Sequence, residues 1–283
     1  MPWRRLLFPA ALLVAAWGLR LLYLSEYHAS PFFDAPIVDA FSFYKKSSAI
    51  AAGQMWGESE AFWQPPLYIY WLALFHWLTP DHFFLSTRLA QTFLGAFSCL
   101  LTYLIARRVL SPAVAALAGG LAACYGVSFY FETELLAVSL EVCLDLALVH
   151  RLLIALERPQ SRHWLAAGIL AGLAALTRPT VLLYIAVVPV WIWWRSQRGQ
   201  ALAKASGPGW IQVGLFIFTC ILVILPVSWR NYHIDGDWVP ISTNGGINFF
   251  IGNNPNYDGT VNIRPGMPWE ELVMEPVRAG YTS

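Results

Sequence analysis

Three groups of residues have the types and spacing to do chemistry. Asp39 sits in PIVDAFSFYKKSSAIAAG, where Ala40, Phe41, Tyr44, Ser48, Ala49 and Ala52 recur at spacings compatible with an interfacial helix. The aspartate falls at or near that helix's N-terminus. It serves there either as an N-cap or as a general base at a membrane face, taking a proton from an acceptor hydroxyl. Glu132 and Glu134, in FYFETELL, open an apolar run, and negative charge at a helix N-terminus is favoured whatever the function. Two residues apart, they point to different sides, so one of them faces any site. Glu141 and Asp145 follow Glu134 on the same face of the run, making an acidic stripe. Ionisable groups inside a bilayer are costly and face a bundle interior with partners.

The third group is basic. Arg20 lies near the far end of the first apolar run and Arg178 in the LTRPT turn; each either holds a phosphate in the guanidinium fork or snorkels to the headgroups. Arg88 and Arg230 share that ambiguity. Asp235 and Asp237 form a D-x-D, but the intervening Gly236 makes a hairpin turn the better reading. His28, His76, His82 and His233 are scattered. Cys99, Cys124, Cys143 and Cys220 lie in apolar runs without CxxC spacing and read as small packing residues. No metal site and no cofactor are expected from this pattern.

What positions these groups is a membrane. Of the 283 residues, 57% are hydrophobic and 12% charged, more apolar surface than one soluble core can hide. A net charge of +1 gives no nucleic-acid footprint. The first run, Leu6 to Leu24, is long for a signal peptide and lacks a clear cleavage site, so it reads as an uncleaved span. Further runs cover Arg88–Ala106, Pro112–Phe129, Leu135–Leu153, Trp164–Leu176, Thr180–Trp194 and Trp210–Trp229, making about seven spans. The segment Pro65–Leu78 is too short to cross and is placed along the outer interface, with the polar atoms of Tyr68, Tyr70, Trp71 and Trp77 kept wet. Arg4, Arg5, Arg107, Arg108, Arg151, Arg158, Arg162, Arg195, Arg198 and Lys204 then all fall on the cytoplasmic side, as the positive-inside rule requires.

The expected fold is therefore all-α: a polytopic helical bundle over residues 1–229, with a long external first loop at about 25–87 carrying interfacial helices. A short external tail, 230–283, reads as turns and short strands. It closes with no further span, which suggests a fragment of a longer chain.

In order along the chain, PIVDAFSFYKKSSAIAAG, FWQPPLYIYWLALF, RLAQTFLGAFSCLLTYLIARRVL, LAGLAALTRPT and RNYHIDGDWVPISTNGGINFFIGNNP resemble bacterial membrane glycosyltransferases of the GT-C superfamily. The closest look is the branch of protein O-mannosyltransferases and the lipid A aminoarabinose transferase. That resemblance implies transfer of a sugar from a polyprenyl-phosphate carrier to a protein, lipid or glycan acceptor at the periplasmic face of the inner membrane. It implies Asp39 as catalytic base, Glu132 or Glu134 as a second acidic residue, and Arg178, Arg20 or Arg88 on the donor phosphate. Tyr44, Gln64, Pro65, Pro66, Tyr68, Arg230 and Asn231 are expected to line the site. The aminoarabinose transferases carry Glu-Lys where this chain has Trp63-Gln64, which removes a cation and shifts its duty to Arg178 or Arg20. The rival expectations are an ion-coupled transporter or flippase built on Glu141 and Asp145, and a non-catalytic remnant.

Overall fold

The computed structural model describes residues 4–197 and 209–253. Within them the regular elements are α1 (Arg4–Tyr27), α2 (Val38–Ala51), α3 (Leu67–Leu78), α4 (Phe83–Val109), α5 (Pro112–Ala123), α6 (Gly126–Thr133), α7 (Val138–Glu157), α8 (Ser161–Ala175), α9 (Leu183–Gln197), α10 (Trp210–Asp235) and α11 (Asn244–Asn253). Short 3-10 turns at Pro80–His82 and Pro179–Leu182 precede α4 and α9. The all-α membrane fold is as expected.

Each expected run contains a helix, yet fewer qualify as spans on length and composition. Among the described residues three do, Leu7–Tyr27, Pro80–Val109 and Trp210–Asp235, and α5 with α6 forms a fourth, bent by 48°. The 20-residue α7 carries Glu141, Asp145 and Arg151, while α8 and α9 have 15 residues each. The expected count of seven therefore depends on these charged or shorter helices.

Contacts fix the direction of the helices. Phe8 meets Tyr103 at 5.0 Å and Trp17 meets Phe93 at 5.5 Å, so α1 and α4 are antiparallel. Arg108 ends α4 beside Glu157 at the end of α7, and Arg151 approaches His163 at the start of α8, 3.4 Å away. One end of the bundle thus gathers Arg107, Arg108, Arg151, Arg158 and Arg162. The side chains of Arg4, Arg5 and Arg195, and all of Arg198 and Lys204, lie outside the described residues. The opposite end carries α2, α3 and Asp39, Glu132, Glu134 and Glu141.

At twelve residues α3 is about 18 Å long, well short of a hydrocarbon core of about 30 Å. It packs Tyr68, Ile69, Leu72 and Ala73 against Ala40, Phe43 and Ile50 of α2, with Phe83 and Leu135 completing the cluster. Tyr70 donates to the Met55 carbonyl at 2.9 Å and Trp77 to the Ala51 carbonyl at 3.1 Å, both at the surface. Tyr68 departs from expectation: it is fully buried, and its hydroxyl donates to Gln91 Oε1 at 2.6 Å rather than to water. Burial pushes its phenol well above the ordinary range, so it acts as a neutral donor.

Helices α8 and α10 meet through small residues. The spacing Gly168-x-x-x-Gly172 is the close-approach pattern of membrane helices. A Cβ on Gly168 would fall onto the Thr219 hydroxyl and the Phe216 carbonyl, and one on Gly172 would lie 2.6 Å from Val223 Cβ. Gly168→Val is expected to destabilise the bundle by about 1–3 kcal/mol, the usual cost of overpacking. A thermal unfolding scan in nanodiscs checks it, and an unchanged midpoint would contradict the close packing.

Three expectations are corrected. Glycine-236 at φ 79° closes α10, its N–H bonding to the Tyr232 carbonyl at 2.9 Å, so Asp235-Gly236-Asp237 is a helix C-cap and not a hairpin. In the described part of the tail, INFFIGN belongs to α11 where short strands were expected; residues 254–283 lie outside the described residues. Cys124, at the end of α5, is exposed, whereas Cys99, Cys143 and Cys220 are buried as expected.

Candidate functional site

Asp39 occupies the first turn of α2. The N-cap position belongs to Ile37, which makes no side-chain cap bond, so the capping reading gives way to a carboxylate in the first turn, where the helix dipole favours it. Val38 precedes it at φ 52°, a left-handed conformation that is costly for a β-branched residue and persists only where the surroundings enforce it. Asp39 is exposed, while the next residue, Ala40, is buried in the cluster that also holds Leu135. Tyr44, further along α2, stacks on Phe84 at 5.3 Å and packs beside His76 and Phe83. Its ring is thereby committed to packing.

The Glu132–Glu134 segment is not the start of a helix. Glu132 lies in the last turn of α6, Glu134 is extended at φ −78°, ψ 149°, and α7 begins only at Val138. The expected stripe of Glu134, Glu141 and Asp145 on one helical face is therefore broken: Glu141 lies in the first turn of α7 and Glu134 precedes that helix. Arg20 of α1 engages Glu132 rather than any residue of that stripe. Its Nε and Nη2 donate to the Glu132 carboxylate at 2.6 and 3.1 Å, and its Nη1 to the carbonyls of Ala16 and Ala123. Ala123 is where α5 stops, so the arginine satisfies a carbonyl released by the bend. Gly95 of α4 faces the same carboxylate, and a Cβ there would collide with it. These groups line a groove of about 310 Å³.

Arg88 is fully buried. It donates from Nε to the Thr133 carbonyl at 2.7 Å and lies 4.4 Å from the Phe33 ring centre. Gln91 donates from Nε2 to the carbonyls of Glu132 and Glu134 at 2.7 and 2.6 Å. Arg20 and Arg88, both expected on the donor phosphate, are thus buried with their guanidinium groups engaged by the protein. Arg88 holds the backbone at the end of α6, and Arg20 holds the Glu132 side chain and the Ala123 carbonyl.

Arg178 stands differently. It is 60% exposed and reaches Glu141 through two long contacts of 3.4 Å. The turn that carries it touches the start of α3, where the Leu67 N–H donates to the Leu176 carbonyl at 3.1 Å, bringing Pro65 and Pro66 alongside. Asp145, one turn below Glu141, has a buried Oδ1 without a hydrogen-bond partner. Gln64 accepts from Ser42 Oγ at 3.2 Å and from Lys46 Nζ at 3.1 Å, and Lys46 pairs with Glu58 at 2.8 Å. The cation absent at position 64 is thus supplied beside it from α2.

Arg230 and Asn231 tie the first loop to the end of α10. Arg230 donates to the carbonyls of Trp56 (2.9 Å), Glu60 (2.7 Å) and Glu58, with its guanidinium over the Phe62 ring. The Asn231 amide donates to the Val239 and Ile241 carbonyls and its oxygen accepts from the Phe62 N–H. Both, expected to line the site, clasp the first loop to the end of α10. Beside the clasp lie two clefts, of about 630 and 330 Å³, that share Gln54, Gly57 and Glu58. The smaller one reaches Ser42 and Lys46, on the same face of α2 as Asp39.

A family model described as dolichyl-phosphate-mannose-protein mannosyltransferase matches residues 63–229. The chain belongs to this family. A search of the curated proteins found no match. The family match spans the α3 entry, the α4 polar face, the α6–α7 break and the Arg178 turn; Asp39 precedes it. Membership makes this a membrane protein of glycosyltransferase type, dependent in general on a polyprenyl-phosphate-linked sugar. Sequence reasoning missed Tyr27, Lys46 and Gln91. Lys46 was legible at seven residues from Asp39, but the partners of Gln91 and Tyr27 lie 41 and 107 positions away.

Proposed function

We propose that the chain transfers a sugar from a polyprenyl-phosphate carrier to a hydroxyl or amine of a protein, lipid or glycan acceptor, with Asp39 as general base. The supporting observation is the exposed Asp39 carboxylate, aimed by the strained Val38 on a helix packed against the family-matched α3 and the 135–140 segment. The acceptor oxygen or nitrogen bonds to the anomeric carbon, the bond from that carbon to the phosphate oxygen breaks, and the acceptor proton passes to Asp39. The carrier leaves as a phosphate anion and needs no proton from an acid. The basic end of the bundle lies in the cytoplasm and the Asp39 end at the periplasmic face of a bacterial inner membrane, following the positive-inside rule.

Arg178 holds the donor phosphate, its exposed fork free to exchange two long contacts for charge-assisted ones. Arg178→Ala is expected to raise the donor KM by about 10- to 100-fold, since hydrogen bonds to charged groups contribute about 1.5–3 kcal/mol, with Arg178→Lys in between. Donor titration in membranes, following release of polyprenyl phosphate, reads the effect. An unchanged KM in Arg178→Ala would assign this arginine to its Glu141 contact alone.

A further inference from the structure

The segment between α6 and α7 offers two carboxylates, and their surroundings are opposite. Glu132 is 5% exposed, with both oxygens taken by Arg20 and its flank pressed on Gly95. A substrate hydroxyl there would compete with a two-point guanidinium contact. Glu134 is half-buried on extended backbone, and its Oε1 accepts from the Tyr27 hydroxyl at 2.8 Å. An ionised carboxylate has about four acceptor sites, so capacity remains on Glu134.

The support around Glu134 is built from three elements. Arg88 and Gln91 of α4 hold the carbonyls of Thr133, Glu132 and Glu134, which fixes the backbone on both sides of the side chain's origin. Tyr27, the last residue of α1, fixes the carboxylate itself. The Tyr27 ring is in turn placed by Phe33, at 6.1 Å between centres, and by the Arg88 guanidinium, 5.5 Å from its own centre. Phe33 is 4% exposed and sits six residues before Asp39. One contact set therefore orients Glu134 and anchors the chain that leads to Asp39. A site whose side chains are locked by such surroundings is pre-organised for binding.

We propose that Glu134, and not Glu132, is the substrate-facing carboxylate of this segment, and that Tyr27 is its positioning residue. The inference rests on the glycosyl-transfer reading above. Glu134 accepts a hydrogen bond from a hydroxyl of the sugar or acceptor through the oxygen edge that Tyr27 leaves open, and Arg20–Glu132 serves the bend alone.

The test uses membranes carrying the full chain, supplied with polyprenyl-phosphate mannose, with release of polyprenyl phosphate measured against donor concentration. Glu134→Gln is expected to lower kcat about 10²-fold, as the loss of a pre-organised electrostatic contact does. Tyr27→Phe lowers kcat about 10-fold through misplacement, with the donor KM and the melting midpoint unchanged. The double variant is no worse than Glu134→Gln alone, because the two act as one unit. A merely structural Tyr27 would instead shift the midpoint and multiply with Glu134→Gln. Wild-type turnover in Glu134→Gln, beside an inactive Asp39→Asn, overturns this inference and leaves the transferase reading standing. Equal release by wild type and Asp39→Asn overturns both.

Discussion

Asp39→Asn is expected to cut the release of polyprenyl phosphate by about 10²–10⁴-fold, the range that removal of a general base produces, without unfolding the chain. The side chain is exposed, and the buried contacts of α2 come from Ala40, Phe43, Ser47 and Ile50. Asparagine keeps the shape and loses the charge and the basicity. The structural cost is the first-turn charge–dipole term, about 0.3–1 kcal/mol, so the melting midpoint should move little. Wild-type release from a well-folded Asp39→Asn would remove the base from the proposed mechanism.

The second large effect is structural. Arg20→Ala leaves Glu132 buried, with only Gly95 and the groove around it. Breaking a buried pair by removing one partner typically costs about 3–5 kcal/mol, whereas replacing both with apolar groups is often neutral. Arg20→Ala should therefore lower the unfolding midpoint in nanodiscs sharply, while Arg20→Met combined with Glu132→Leu recovers most of the loss. The carbonyl of Ala123 still loses its donor in the double variant, so recovery stays incomplete. If the double variant is as unstable as the sum of the two singles, the pair is not a closed unit, and the separation of Glu132 from Glu134 loses its basis.

What the sequence made legible follows from local physics. Apolar runs located α1, α4 and α10 to within a few residues, because helix length against bilayer thickness is a local property. The shortness of LYIYWLALFHWL separated α3 from the spans for the same reason. The bend between α5 and α6 was not legible, since Pro112–Phe129 is uniformly apolar. It is accompanied by an arginine that reaches the Ala123 carbonyl at the bend and Glu132 across 112 positions, with Gly95 leaving room for that carboxylate. The same long range hid the fate of Arg88, Arg230 and Asn231, which composition alone offers equally to phosphate, headgroup or backbone. In the tail, Asn and Gly residues argued for turns, but Ile247 finds a buried place and the run folds as a helix. The candidate base was visible because it needs only a carboxylate at a helix start. The second carboxylate needed the geometry of Arg20 and Tyr27.

The most direct measurement is the release of free polyprenyl phosphate when membranes carrying the 283-residue chain receive a pool of polyprenyl-phosphate sugars, compared with membranes carrying Asp39→Asn at equal expression. Release that depends on wild-type chain and vanishes in the variant is the expected result. Equal release from both, or none from any donor in the pool by folded wild-type chain, would contradict glycosyl transfer as its activity.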